Sequence, residues 1–269
     1  MSIQAVFSDI DGTLLNDEHR MSSQQANIIN ASIDEGVAFV LTTARSPQGV
    51  YPIMNRYHIH CHMIAFNGAL LLDEKGHVLY ENGFKKQQAL EVCHFIEQQH
   101  FNLTYNIFTK DQWLVKDLND QRVKREESIV EAQAELGDVS DLKDHEMVDK
   151  ILCMCDPHDI LDIENKLKNQ FPDLQIAKSS NILIEINNGG VSKATAIQQF
   201  CQTMHIDIKN VMAIGDNYND LTMLESVGHP VVMDNAPLAI KEQFRQHTLS
   251  NNDDGIAHIL HKMILSNRQ

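Results

Sequence analysis

Asp9-Ile10-Asp11-Gly12-Thr13 closes the first apolar run of the chain, Ile3 to Phe7, and its reading decides the fold. Two carboxylates at alternate positions follow a short β-type run and precede a glycine that can turn the chain. Much later, Gly215-Asp216-Asn217-Tyr218-Asn219-Asp220 closes a second such run, Val211 to Ile214. In open parallel α/β sheets, ligands bind at the carboxyl ends of strands. If the two runs are neighbouring strands, Asp9, Asp11, Asp216 and Asp220 converge, and four like charges in one cleft require protons or a cation. A ligand set of oxygens without His or Cys favours a hard cation. Sparse carboxylates that leave room for water and phosphate oxygens suit Mg2+ better than Ca2+.

Outward from these runs, strands and helices alternate. Ala5 to Phe7 reads as a strand, Ser22 to Glu35 as a helix closed by Gly36, Val37 to Leu41 as a buried strand, Ser46 to Tyr57 as a helix and Met63 to Phe66 as a strand. That order predicts a parallel sheet. Leu71 to Tyr80, with Asp73-Glu74-Lys75-Gly76 at its centre, reads as a hairpin leaving the sheet. From about Phe84 to Ile186 the pattern becomes that of an inserted α+β module. Its elements are a helix Gln87 to Gln99, strands Leu103 to Phe108 and Trp113 to Val115, a charged helix Asp120 to Leu136, a strand Lys150 to Cys155, a helix Asp159 to Phe171 and a closing hairpin Gln175 to Ile186. After Gly189-Gly190 the alternation resumes with a helix from Ser192 to His205, the strand ending in the second acidic cluster, a short helix Asp220 to Ser226, a strand Val231 to Met233 and a helix opened by Ala236-Pro237. The fold class is α/β, a Rossmann-like parallel-sheet core built from residues 1–82 and 188–269 and interrupted by an α+β cap at 83–187.

Composition narrows the function. The formal net charge of −15 argues against nucleic acid and anionic membranes as partners, since both require a basic footprint. Positive charge for an anionic substrate must therefore be local. The five cysteines, Cys61, Cys93, Cys153, Cys155 and Cys201, have no disulfide-scaffold spacing and read as reduced thiols. With no charged and apolar leader and no run of about 18 apolar residues, the expected compartment is cytoplasmic. A monomer or weak homodimer is expected.

Four segments in order carry a family resemblance: Ser8-Asp9-Ile10-Asp11-Gly12-Thr13-Leu14-Leu15, Thr42-Thr43-Ala44-Arg45, Lys193 within Gly189-Gly190-Val191-Ser192-Lys193, and Gly215-Asp216-Asn217-Tyr218-Asn219-Asp220. Lesser matches are Phe66-Asn67-Gly68-Ala69 and Asp253-Asp254-Gly255-Ile256-Ala257. The chain resembles a haloacid dehalogenase superfamily phosphatase of the Cof type, subclass IIB. It departs from the family at Ala44, where the second motif usually has glycine, and at Ala194, where a glycine commonly follows the lysine.

The resemblance and the residues together give roles. Asp9 is the candidate nucleophile, a carboxylate ionised at neutral pH that can take the phosphoryl group and split the reaction in two. Asp11, two residues on in an extended stretch, is the candidate general acid and base. Asp216 is expected to ligate Mg2+ alongside an Asp9 oxygen and, as the resemblance implies, the Asp11 backbone carbonyl. Asp220 acts through water or by orienting its neighbours. Thr43, the Ala44 amide, Lys193 and Asn219 are the candidate phosphate contacts, with Lys193 also holding Asp9 ionised. Asn67 lines the entrance to the site or simply makes a turn. His58, His60 and His62, and likewise Cys153 and Cys155, read as loop and core residues rather than metal ligands. The function implied is Mg2+-dependent hydrolysis of small phosphorylated metabolites, sugar phosphates or phosphorylated cofactors, through an aspartyl-phosphate. The family implies that the cap closes over the cleft and sets substrate choice. Two alternatives stay open here, a phosphomutase acting on sugar phosphates and a non-catalytic sensor of phosphometabolites.

Overall fold

The structure, a computed structural model, describes residues 2–266; residue 1 and residues 267–269 of the expected core lie outside the described residues. In chain order, β1 (Ala5–Ser8), α1 (Ser23–Asp34), β2 (Ala38–Thr42), α2 (Pro47–Tyr57), β3 (His62–Ala65), β4 (Leu70–Leu72) and β5 (Val78–Glu81) come first. Then follow α3 (Lys86–Gln98), β6 (Leu103–Phe108), β7 (Trp113–Val115), α4 (Gln121–Val130), β8 (Glu135–Leu136), β9 (Lys150–Cys155), α5 (Ile160–Gln170), β10 (Gln175–Lys178) and β11 (Leu183–Asn187). The chain ends with α6 (Lys193–Met204), β12 (Val211–Gly215), α7 (Leu221–Glu225), β13 (His229–Val232), α8 (Leu238–Lys241) and α9 (Gly255–Leu260). Two compact units result. One comprises the residues up to Ala44, Tyr51–Tyr80 and those from Ser192 on, and the other comprises Arg45–Val50 and Glu81–Val191.

The first unit holds a seven-stranded sheet in the order β13-β12-β1-β2-β3-β4-β5. β13 through β3 run parallel, which sets the two acidic clusters side by side: β1 pairs with β12 in the register Ser8↔Ile214. β1 and β12 are buried along their whole length, as central strands covered on both faces must be. One face packs Ala5, Phe7, Val40 and Ile64 against Ala196, Ile197 and Phe200 of α6. Ser22 caps α1 by accepting from the Gln25 N–H, and the buried Gln25 side chain donates to the Leu14 carbonyl at 2.9 Å, tying α1 to the loop after β1. The expected hairpin does not leave the sheet. β4 pairs antiparallel with β3, and β5 follows it through the Asp73–Gly76 turn, extending the same sheet.

The second unit is a six-stranded sheet, β10-β11-β9-β6-β7-β8, antiparallel except for the β7–β8 pair. Its core joins Tyr105, Ile107, Ile151, Cys153, Cys155, Ile184 and Ile186 to residues of α3 and α5, so the alternating cysteines are packing residues. The helix expected over Asp120 to Leu136 is cut short. α4 ends at Val130, Glu131 turns left-handed at φ 53°, and Glu135–Leu136 pairs with β7 as an edge strand. Glu127 accepts from the Ala134 N–H at 3.0 Å across this turn, and the non-local pairing with β7 overrides good helix formers. His58 sits past the end of α2 at φ 51°, while His62 begins β3, so these histidines share no single strand. Among the described residues no helix is long and apolar enough to cross a membrane.

Candidate active site

The first acidic cluster lies where β1 ends. The Asp9 N–H still donates to Ile214 at 3.0 Å, continuing the ladder to β12, while Ile10 turns fully into the core and the Leu14 and Leu15 N–H groups both donate back to its carbonyl. Gly12 makes the turn at φ +84°, and a Cβ there would meet Asp216 Oδ2 at 2.6 Å. Only glycine lets the loop after β1 approach the second cluster this closely.

Three of the four expected carboxylates meet. One oxygen each of Asp9, Asp216 and Asp220 lies within 4.8 Å of the others, and all three residues are buried. The Asp11 side chain stands outside that group, 46 % exposed, with His19 Nδ1 4.0 Å from its Oδ1. The strand ends at Ser8, so the extended geometry that would have kept Asp11 on the same side as Asp9 does not persist.

Lys193, the first residue of α6 and 2 % exposed, joins the cluster from the helix side. Its Nζ donates to Asp9 Oδ1 and to Asp220 Oδ1, each at 2.6 Å. The other Asp220 oxygen accepts from the Asp216 and Asn217 backbone N–H groups at 3.0 and 3.1 Å. Lys193 and the two backbone N–H groups thus supply donors to both oxygens of Asp220. Asp216 is held in turn by Thr13, whose hydroxyl donates to Oδ1 at 2.7 Å. Thr13 was part of the motif but had no assigned role, because a threonine after Asp-Gly reads equally well as a turn or strand residue.

Three carboxylates against one ammonium leave a formal charge of −2 in a buried space. Burial pushes Asp9 well above the usual carboxylate range, with Asp220 adding to the rise and Lys193 opposing it. Burial likewise raises Asp216 to about 6, against the Thr13 hydrogen bond and with help from Asp220. For Lys193, burial alone would lower the pKa, but Asp220 and Asp9 outweigh it and the net shift is upward, so the ammonium keeps its proton. The remaining carboxylates seek positive charge. An all-oxygen donor set with net charge −2 fits a hard divalent cation such as Mg2+.

The second motif follows β2. The Thr43 N–H donates to Ile64 and its carbonyl accepts from the Asn67 N–H, both at 2.9 Å. Ala44 does not need the glycine it replaces: it is absent from the positive-φ residues among those described, and Ala194 sits inside regular α6. Ala44 stands three residues ahead of α2, which begins at Pro47. Asn67 is a turn residue at φ 60°, in a run of positive φ that includes Phe66 at 52° and Gly68 at 112°. A bulky Phe66 in that region is strained backbone. A Cβ on Gly68 would lie 2.2 Å from the Ser192 carbonyl, so this turn packs directly against the start of α6 and thereby sets the position of Lys193. Ser192 caps the helix by accepting from the Thr195 N–H at 3.0 Å. Asn219 is exposed on the single turn Tyr218–Asp220 that follows the second cluster. Arg45 Nη1 donates to Gly49 at 3.5 Å, a local contact.

Comparison with known proteins points one way. A profile of the haloacid dehalogenase-like hydrolases matches residues 6–260. A Haemophilus influenzae protein provisionally named a phosphatase is 32 % identical over 261 residues, covering 97 % of this chain and 98 % of that protein. The 5-amino-6-(5-phospho-D-ribitylamino)uracil phosphatase of Bacillus subtilis is 26 % identical over 266 residues, covering 98 % of this chain and 97 % of that one. The crystal structure of a haloacid dehalogenase-like hydrolase from Bacteroides thetaiotaomicron superposes with a TM-score of 0.88 at 22 % identity, covering 98 % of this chain and all of that one, and shares the fold.

Proposed function

The chain belongs to the haloacid dehalogenase-like hydrolase family, and from that premise we propose that it is a Mg2+-dependent phosphatase that removes phosphate from small phosphorylated metabolites through an aspartyl-phosphate on Asp9. The observation that carries this reading is the pairing of Asp9 Oδ1 with Lys193, which leaves Oδ2 for bond formation, while an Asp216 carboxylate oxygen lies within 4.8 Å of an Asp9 oxygen. Asp9 and Asp216, with Asp220 orienting them, would hold Mg2+, which when bound would supply charge neutralisation for the substrate phosphate.

Asp9 Oδ2 bonds to phosphorus as the ester bond breaks, and the leaving oxygen takes a proton from Asp11. In the second half, a water oxygen bonds to phosphorus and gives its proton to Asp11. The phosphorus–Oδ2 bond breaks, and its electron pair returns to the Asp9 carboxylate. The exposure of Asp11 supports a group that exchanges protons with solvent between turnovers. Thr43, the Ala44 amide, Lys193 and Asn219 hold the phosphoryl oxygens. Residues 83–187 are the cap that chooses the substrate, and residues 1–82 and 188–269 form the catalytic core. A relative whose named substrate joins a phosphorylated sugar chain to a heterocycle supports sugar phosphates or phosphorylated cofactors as the class.

Phosphate release from an aryl phosphate and a panel of metabolite phosphates, with Mg2+ and with a chelator, tests the proposal. Metal-dependent release should be lost in Asp9→Asn while the melting curve is retained. Turnover persisting in that variant refutes the mechanism, and no release from any compound refutes hydrolysis in favour of a mutase or sensor.

A further inference from the structure

Thr42, the last residue of β2, is fully buried, and its hydroxyl has no hydrogen-bond partner among the described residues. The register sets it beside the proposed nucleophile. Ser8 pairs with Leu41, so one step further along the parallel ladder Thr42 stands next to Asp9, while on its other side it pairs with Ile64. Side chains alternate along strands. Phe7, Val40 and Ile64 all pack against α6, the helix whose Lys193 reaches Asp9. Asp9 is two residues beyond Phe7 and Thr42 two beyond Val40, so both face α6. A valine would fill the same strand position without burying an unsatisfied hydroxyl, which makes the hydroxyl a cost for the fold to carry.

We infer that the Thr42 hydroxyl is a hydrogen-bond donor to Asp9 during hydrolysis of the aspartyl-phosphate, an inference that rests on the proposed function. In that step water bonds to phosphorus, the phosphorus–Oδ2 bond breaks, the electron pair returns to Asp9 and the water proton passes to Asp11. Negative charge gathers on a buried carboxylate whose other support, Lys193, is shared with Asp220. Hydrogen bonds to charged oxygens are stronger than those to neutral ones, so a hydroxyl here favours the departing carboxylate over the acyl phosphate. Thr42 therefore speeds breakdown of the intermediate and not its formation.

The test is acid quench during turnover of p-nitrophenyl phosphate with Mg2+, with intact-mass detection of the phosphoryl adduct, on wild type, Thr42→Val and Thr42→Ser. Thr42→Val should break down the adduct about tenfold more slowly, the size of one hydrogen bond to a charged oxygen. Its adduct fraction should rise at an unchanged rate of formation. Thr42→Ser, which keeps the hydroxyl, should behave as wild type, and the melting temperature of Thr42→Val should not fall. An unchanged adduct fraction in Thr42→Val overturns the inference, as does an equal loss of formation and breakdown, the mark of a structural defect. Turnover with no adduct in wild type or variant overturns the aspartyl-phosphate and this inference together, whereas an adduct indifferent to Thr42 removes only the latter.

Discussion

Thr13 shows how much of the site depends on side chains that touch no substrate. Its hydroxyl fixes one oxygen of Asp216 at 2.7 Å, and the other oxygen faces Gly12 at a separation only glycine allows. Thr13→Val removes that donor without changing shape, so Asp216 loses both its orientation and the bond that moderates its raised pKa. We expect Mg2+ affinity, measured by calorimetry on metal-free protein, to weaken about tenfold, as for one lost hydrogen bond to a charged group. An unchanged affinity would mean that Asp216 is oriented by its backbone alone. At this scale, Asp9, Asp216 and Lys193 were legible because carboxylates and a lysine in those motifs are costly to bury without a purpose. Thr13 and Thr42 were not, because a hydroxyl residue in or after a strand has an ordinary structural explanation until its partner, or its lack of one, is seen.

β9 begins directly after a further buried acid, one with no part in the proposed chemistry. Asp149 is fully buried, both its carboxylate oxygens are without partners among the described residues, and Gly83 lies close enough that a Cβ there would meet Oδ1 at 3.2 Å. Burial pushes its pKa well above the usual carboxylate range, and Glu81 and Asp111 push the same way. The folded state therefore keeps a proton that the unfolded chain releases above about pH 4. This stability is complete below that pH and is lost as pH rises towards the folded pKa, at about 1.4 kcal/mol per pH unit. Asp149→Asn cannot ionise, so its melting temperature should exceed that of wild type at pH 8 by several degrees, with the gap narrowing towards pH 5. A gap that stays constant with pH would show that Asp149 is already ionised in the fold. The charged α4 segment ends sooner than its helix-forming residues predict, because the pairing of Glu135–Leu136 with β7 is non-local and leaves no mark in the residues between.

Over the whole molecule, the alternation of strand and helix was enough to predict a parallel core interrupted by an α+β insertion, because hydrophobic period and turn residues report local geometry. That β4 and β5 remain in the first sheet depends on pairing to β3, which no local period encodes. Net charge acts at this scale too. With Mg2+ bound as proposed, three carboxylates, one ammonium and one divalent ion would sum to neutrality, so an arriving phosphate ester would meet little local attraction beyond hydrogen bonds and the field of a chain with formal charge −15. That field reaches about 30 Å at 0.01 M salt but only about 8 Å at 0.15 M. Raising salt between these limits, with Mg2+ saturating, should therefore lower KM for a dianionic phosphate ester a few-fold through faster encounter, and leave kcat unchanged because the buried pairs are screened far less. A KM that rises with salt would instead mean that positive groups around the substrate's path outweigh the global charge, and that specificity begins with electrostatic capture before any contact with Asp9.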